Sequence, residues 1–183
     1  NNASVADRAK AEQATVEFVY FLREEIERRR QTAGTDLISS MLEVEENGET
    51  LTEDEIIATA ILTLNAGHEA TVQALGNGLL ALANSPDQYE WLVQNPERIP
   101  SAIDELLRFD TPLQMFERWI LEDCEVSGYS LQKGQKVGLL MGSANHDETA
   151  FKGDTETLDL TRDSRHHMAF GAGLHHCVGA PLA

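Results

Sequence analysis

Apolar residues recur at Val16, Val19, Tyr20 and Ile26 among charged positions, and no proline or glycine interrupts the run from about Ala3 to Arg30. That spacing predicts a long amphipathic helix. Its charged end, Arg23 to Arg30, reads as a solvated face and helix terminus, and Gln31 to Thr35, with Gly34, breaks it. Asp36 then caps a short helix through Leu37, Ile38, Met41 and Leu42, which runs out in the acidic turn Glu45-Glu46-Asn47-Gly48. Thr52 and Glu55 have the spacing of a capping box, in which each side chain satisfies a backbone N–H of the other residue. From Glu53 to Asn84 there is no proline, and Ile56, Ile57, Ile61, Leu62, Leu64, Leu75, Leu79, Leu80 and Leu82 fall on most sides of the helix they imply. At 1.5 Å per residue such a helix is roughly 48 Å long. Being apolar nearly all round, it is expected to thread a core. Asn65, His68, Glu69, Gln73 and Asn77 interrupt it too often for a membrane span.

Ser85-Pro86 is a cap and first-turn pair for a helix carrying Tyr89, Trp91, Leu92 and Val93. Pro100-Ser101 opens another, holding Ile103, Glu105, Leu106, Leu107 and Arg108, which Pro112 stops. Between Arg118 and Leu140 short β-prone pieces alternate with turns at Ser127-Gly128 and Lys133-Gly134, the texture of small antiparallel strands. From Gly142 to Gly173 the chain reads mostly as loop. The fold class is therefore mainly α with a small antiparallel β portion, with no internal repeat and no linker that divides it.

Composition adds exclusions more than identity. The 183 residues suffice for a core, and 42% apolar and 25% charged residues are globular proportions. Fourteen basic against thirty-one acidic residues give a formal charge of −17, which opposes nucleic acid and anionic membrane and is also compatible with a simple solubility role. Cys124 and Cys177 form no framework of spacings, and the start Asn1-Asn2-Ala3-Ser4 carries no secretory pattern, so a reducing cytoplasmic setting is expected.

The densest chemical signal is Phe170-Gly171-Ala172-Gly173-Leu174-His175-His176-Cys177-Val178-Gly179. Three glycines around one cysteine let backbone N–H groups turn towards a thiolate and temper its donation to a metal. A cysteine near glycines is by itself usually a small buried apolar residue. Five of the six histidines lie between His146 and His176, which raises zinc; adjacent His175, His176 and Cys177 do not easily converge on one tetrahedral ion, and no second Cys-x-x-Cys half exists. Glu105 and Arg108 are three apart on one helix face and can pair.

Phe170, Gly171, Gly173, His175, Cys177 and Gly179 stand where the cytochrome P450 haem-binding loop has Phe-x-x-Gly-x-His-x-Cys-x-Gly, and the chain resembles the haem-binding, C-terminal part of the soluble, bacterial-type members of that family. The resemblance implies haem b, with Cys177 ligating the iron and Arg118 and His175 on its propionates, His167 being a weaker candidate. It implies that Glu105 and Arg108 lock onto Arg162 of Leu158-Asp159-Leu160-Thr161-Arg162 for folding and haem retention. Ala66-Gly67-His68-Glu69-Ala70-Thr71 looks like the family's oxygen-activation segment, Gly67 allowing close approach of haem and a local widening of the helix. Ala70 occupies the place of the usual proton-relay threonine; Glu69 through ordered water, or a hydroxyl on the substrate, would then serve, with Thr71 offering the only nearby hydroxyl. Leu113, Met115, Phe116 and Glu117, with Leu64 and Ala70, are implied to line the substrate. Asn145-His146-Asp147 replaces the common Asn-Arg-Asp, losing a pairing made by that arginine, and Cys124 has no implied role.

By the same resemblance the chain is one incomplete domain, 1–183, without the family's N-terminal helices or the helix after the cysteine loop. The implied activity is a monooxygenase inserting one oxygen atom of O2 into a small organic substrate. Its electrons would come from a ferredoxin or flavodoxin with its NAD(P)H-dependent reductase, in a cytoplasmic monomer. The alternative is a haem-binding or structural helical fragment without catalysis.

Overall fold

The structure, a computed structural model, describes residues 4–46 and 48–183. The expected helix start at Ala3 and the turn residue Asn47 lie outside these. The elements are α1 (Val5–Gln31), α2 (Leu37–Glu43), β1 (Glu45–Glu46), β2 (Glu49–Thr50), α3 (Glu53–Asn84), α4 (Pro86–Gln94), α5 (Ile99–Phe109), β3 (Met115–Trp119), β4 (Cys124–Val126), β5 (Tyr129–Leu131), β6 (Lys136–Leu140) and α6 (Met141–Asn145), with 3-10 turns at Pro96–Arg98 and Gly173–His175. Two compact units divide the chain, one up to Ala66 and the other from Gly67 onward.

In the first unit, Ser4 caps α1: its Oγ accepts the Asp7 N–H and the Asp7 carboxylate accepts the Ser4 N–H, each at 3.2 Å. Leu22 and Ile26 of α1 pack with Met41, Ile56 and Ile57, and Phe18, Val19, Ile38, Leu42, Ala60 and Ile61 surround that cluster. The buried stripe of α1 is thus confined to its C-terminal half; Val16 and Tyr20, expected on it, are exposed, because α2 and the start of α3 cover only that half. The basic end is solvated and also tied down. Arg30 reaches Glu53 at 3.0 Å and Arg23 reaches Asp54 at 3.3 Å, both acids of the first turn of α3, where the helix dipole favours negative charge. The expected capping box forms, with Thr52 N–H donating to Glu55 at 2.8 Å and Glu55 N–H to Thr52 Oγ1 at 3.3 Å. Glu45 and Glu46, expected in an acidic turn, form strand β1, which pairs antiparallel with β2.

In the second unit, Ala81, Ala102, Leu158 and Leu160 form the core, flanked by Leu82, Trp91, Leu92, Leu106 and Phe109. Gly78 of α3 faces Leu106 of α5: a Cβ there would meet Leu106 Cδ1 at 3.5 Å, ordinary packing distance. Helix α3, expected to thread a core, is covered by the described residues over only part of its surface. Ile56, Ile57 and Ala81 are buried, while Leu62, Leu64, Val72, Leu75, Leu79 and Leu80 are exposed, since no described element covers those sides.

Strand β3 pairs antiparallel with β6, from Met115 opposite Leu140 to Trp119 opposite Lys136, and β4 pairs with β5 across the Ser127-Gly128 turn. Both turn residues have left-handed backbone (φ 51° and 83°), the two-residue turn that matches strand twist. The strand region begins at Met115, three residues before the predicted Arg118, because Met115–Glu117 pair with residues more than twenty positions away, beyond any local signal. Helix α6 interrupts the predicted loop. An added Cβ at its Gly142 would fall 1.9 Å from Gln114 Oε1, so a side chain there would displace that glutamine.

Candidate functional site

The most completely bonded group in the second unit is a charge cluster on α5. Glu105 and Arg108, one helical turn apart, are both 0% exposed. Arg108 Nε and Nη2 donate to the two carboxylate oxygens of Glu105 at 2.7 and 2.9 Å, and Nη1 donates to the carbonyls of Asn145 and Thr155 at 2.8 and 3.1 Å. Arg162 Nε adds a bond to Glu105 at 3.2 Å while its Nη groups donate to the carbonyls of Lys152, Asp154 and Thr157. The Asp159 N–H, at 3.2 Å, and the Ser164 hydroxyl also donate to Glu105. Burial pushes the Glu105 carboxyl up; the bonds from Arg108, Ser164 and the Asp159 N–H outweigh it and hold the group below its ordinary value. Five donors on one carboxylate and two arginines on six carbonyl and carboxylate groups gather α5, α6 and the irregular 152–164 segment at one point. The three charged residues that sequence brought together are thus together in space.

Two further hubs lie in the Asn145-His146-Asp147 stretch, whose partners the sequence did not indicate. Asn145, fully buried, accepts the Met168 N–H at 2.6 Å through its side chain and Arg108 through its carbonyl. His146, standing where an arginine was expected, contacts Glu156 and the Phe109 carbonyl through its two ring nitrogens, each at 3.0 Å. A replacement contact thus exists where a lost pairing was anticipated.

From Met168 the chain enters the cysteine loop. Gly171 and Gly173 have φ of 69° and 68°, a backbone that side chains resist, and both are needed for the tight turn. The Gly171 N–H donates to Met168 O, and the Cys177 N–H donates to Phe170 O, both at 2.9 Å. The cysteine's own amide is therefore committed to a carbonyl, which closes the loop. A Cβ on Gly179 would sit 3.8 Å from Cys177 Sγ, so this glycine keeps one side of the sulfur open. Cys177 is a free, exposed thiol between fully exposed Leu174 and Val178, and Cys124 is a free, exposed thiol on β4. Among the described residues no group of three or more His, Cys, Asp and Glu could hold a metal ion by itself.

Strand alternation divides the residues expected along the substrate. Phe116 and Arg118 share one face of β3, and Arg118 lies 5.8 Å from the Phe116 ring and bonds only the Glu117 carbonyl among the described residues. Met115 and Glu117 take the other face, where Glu117 pairs with Lys136 at 2.6 Å and Lys136 lies over Trp119. Leu113 is exposed.

On α3 the helix is continuous through Gly67, so the predicted widening is not present. Outside the helix's own neighbouring backbone nothing lies within 4 Å of an added Gly67 Cβ, so the space beside this turn is open. Glu69 and Thr71 are exposed and Ala70 half-buried, with Glu69 accepting from Gln73 at 3.4 Å. Leu64 and Ala66 are exposed in the first unit. Among the described residues no hydrogen bond or ion pair joins the 67–71 segment, Arg118 and the cysteine loop to one another.

A family model described as "Cytochrome P450" matches residues 3–99 and 94–183. The chain belongs to the cytochrome P450 family. P450 proteins of this family bind haem b. The chain is 39% identical over its whole length to the polyketide biosynthesis cytochrome P450 PksS of Bacillus subtilis, covering 45% of that protein. It is 37% identical to the 6-deoxyerythronolide B hydroxylase of Saccharopolyspora erythraea, over 98% of the chain and 45% of the relative. Among solved structures, CYP109E1 from Bacillus megaterium in complex with testosterone superposes with a TM-score of 0.92 at 36% identity, over 96% of this chain and 48% of that one. The chain spans about half the length of the P450 relatives it matches, and its fold is the corresponding part of a P450 fold.

Proposed function

We propose that the protein acts as a haem-thiolate monooxygenase, inserting one oxygen atom of O2 into a small organic substrate by hydroxylation or epoxidation. Its electrons come from a ferredoxin or flavodoxin and its NAD(P)H-dependent reductase, and it works as a cytoplasmic monomer. Among the described residues no helix is long and apolar enough to cross a membrane. The observation that carries the reading is Cys177: a free, exposed sulfur on a glycine turn, with open space on the Gly179 side and apolar Leu174 and Val178 beside it.

This donor set fits haem. A soft thiolate suits iron, the flanking apolar side chains suit the porphyrin plane, and Arg118 and His175 are exposed groups of the right charge and hydrogen-bonding type for propionates. When bound, the haem supplies dioxygen activation, which thiolate donation favours by promoting O–O cleavage. The Glu105–Arg108–Arg162 cluster anchors the segment that leads into the loop. Phe116, on the face of β3 that carries Arg118, lines the substrate more directly than Met115 or Glu117; Leu113 precedes the strand. Gly67 leaves the helix surface open, as close approach of a haem would require, and Glu69 would move protons through water or in concert with a substrate hydroxyl, because Ala70 has none to offer.

The test is the carbon monoxide difference spectrum of the reduced full-length protein beside its Cys177→Ser variant. A strongly red-shifted Soret band in the first and none in the second is the expected result. An unchanged spectrum in the variant would remove the proposal.

A further inference from the structure

We propose that His167 is a positioning residue for the thiolate loop, acting as a neutral imidazole whose Nδ1 acceptor fixes the turn on which the Cys177 amide closes. The inference rests on the reading of Cys177 as haem ligand.

His167 is nearly buried, and its Nδ1 accepts the Ala169 N–H at 3.1 Å. That bond requires an unprotonated Nδ1, which leaves the proton of the neutral ring on Nε2. Nε2 faces Asp104 Oδ1 on α5 at 3.6 Å, a charge–dipole contact too long for a hydrogen bond. Burial drives the His167 pKa down, Asp104 opposes this and nearby His176 assists it; the net direction is downward, in keeping with a neutral ring. The ring also packs on Phe170, centroids 5.5 Å apart and tilted by 50°.

Phe170 is the consequence. Its carbonyl accepts the Cys177 N–H and its ring packs, tilted, against His176 at 6.4 Å, so Phe170 contacts both residues at the end of the loop. His167 N–H donates to Ser164 O, and the Ser164 hydroxyl donates to Glu105, next in sequence to Asp104. A continuous set of bonds and packed rings therefore runs from the α5 charge cluster through His167 and Phe170 to the cysteine. If the acceptor at Nδ1 is lost, the turn 167–170 loosens and the carbonyl that holds the Cys177 amide moves.

The experiment compares three variants of the haem-loaded full-length protein. His167→Asn keeps an acceptor near the Nδ1 position; His167→Phe keeps ring packing on Phe170 and removes the acceptor; Asp104→Asn neutralises the far contact. The readouts are the rate at which the red-shifted carbon monoxide band converts to the shorter-wavelength band of a non-thiolate haem, and the haem reduction potential, each taken at equal distance below the unfolding midpoint. Loss of one buried acceptor should speed the conversion in His167→Phe about five-fold and shift the potential, with His167→Asn close to wild type and Asp104→Asn between them. Equal rates and potentials in wild type and His167→Phe overturn the proposal, and so does an Asn variant as fast as the Phe variant. If His167→Phe does not fold, His167→Asn and Asp104→Asn decide: wild-type behaviour in the first with faster conversion in the second supports the proposal, and any other pattern overturns it. A wild-type protein without the red-shifted band overturns the assignment of Cys177 itself, and this inference with it.

Discussion

The α5 cluster and the cysteine loop belong to the same unit of the structure, and their surroundings are opposites. Glu105 and Arg108 are sealed from solvent and every oxygen of the carboxylate is bonded more than once, whereas Cys177 is exposed and its sulfur is left unengaged. Hydrogen bonds are concentrated where loops must be fastened, and among the described residues none is made to the sulfur proposed to do chemistry. A buried ion pair adds little net stability against an apolar replacement, but breaking one side of it is costly, because the remaining charge is stranded. The cluster therefore acts as a fastening that tolerates no partial loss, and the cysteine loop borrows its order from it through Ser164 and Asn145.

Removing one side of the cluster is the strongest way to break this contrast. Glu105→Ala strands Arg108 and Arg162 together, and urea unfolding of the complete protein should show a loss of about 3–5 kcal/mol. A loss below about 1 kcal/mol, the scale of exposed pairs, would mean that the cluster is no different from a surface salt bridge. The same residue predicts a pH effect with a definite sign. Its folded pKa lies below the ordinary 4.5, so its contribution is fully present above that value and is lost as pH falls from there through the folded value. Glu105→Gln should therefore flatten the acid limb of stability against pH below about 4.5; an unchanged limb would place the acid sensitivity elsewhere.

A smaller effect is predicted where α6 meets the segment after α5. Gly142→Ala puts a methyl group 1.9 Å from Gln114 Oε1, and Gln114 is held by its own bond to the Thr111 carbonyl at 2.7 Å. The side chain can swing away only by giving up that bond, a cost of about 1–2 kcal/mol. Gln114→Ala should remove most of the penalty when combined with Gly142→Ala; a double variant as unstable as the sum of the two single ones would rule out this contact as the cause.

What was legible in the sequence divides along the same line. Glu105 and Arg108 were visible because three-residue spacing on a helix is a local fact, and the capping box of α3 was visible for the same reason. Ser164 was not, and Asn145 was visible only by resemblance and without its partners: these lie 59 and 23 residues away, and nothing in a serine or an asparagine announces a distant acceptor or donor. The β3 boundary was missed because pairing with β6 sets it, and α6, at five residues, is too short for periodicity to register. The apolar circumference of α3 implies burial on most sides, and periodicity reports what a helix offers to neighbours; no described element covers Leu62, Leu75 and Leu79. The family resemblance located Cys177, the 67–71 segment and the Glu105–Arg108–Arg162 triad, while the bonds of Ser164, the Asp159 N–H and Asn145 that complete the fastening emerged from contacts.

The smallest predicted effect lies at the exposed extreme of the contrast, on α3. A threonine is the family's usual residue at the place of Ala70, and restoring it is the direct test of whether this chain has an alternative proton route. In a helix interior a threonine hydroxyl commonly turns back to the carbonyl one turn earlier, as Thr15 Oγ1 does to Ala11 O at 2.9 Å in α1. A hydroxyl added by Ala70→Thr has that acceptor available, while Glu69 and Thr71 point about 100° to either side of it. If Glu69 or a substrate hydroxyl already delivers the proton, the added group is redundant. Coupling of NADPH use to product should then change by less than about two-fold, far short of the ~100-fold a newly positioned donor can supply. Glu69→Gln in the same assay should lower coupling, and a large gain from Ala70→Thr with no loss from Glu69→Gln would show that the 67–71 segment carries no substitute relay and that its bareness is a defect in proton delivery.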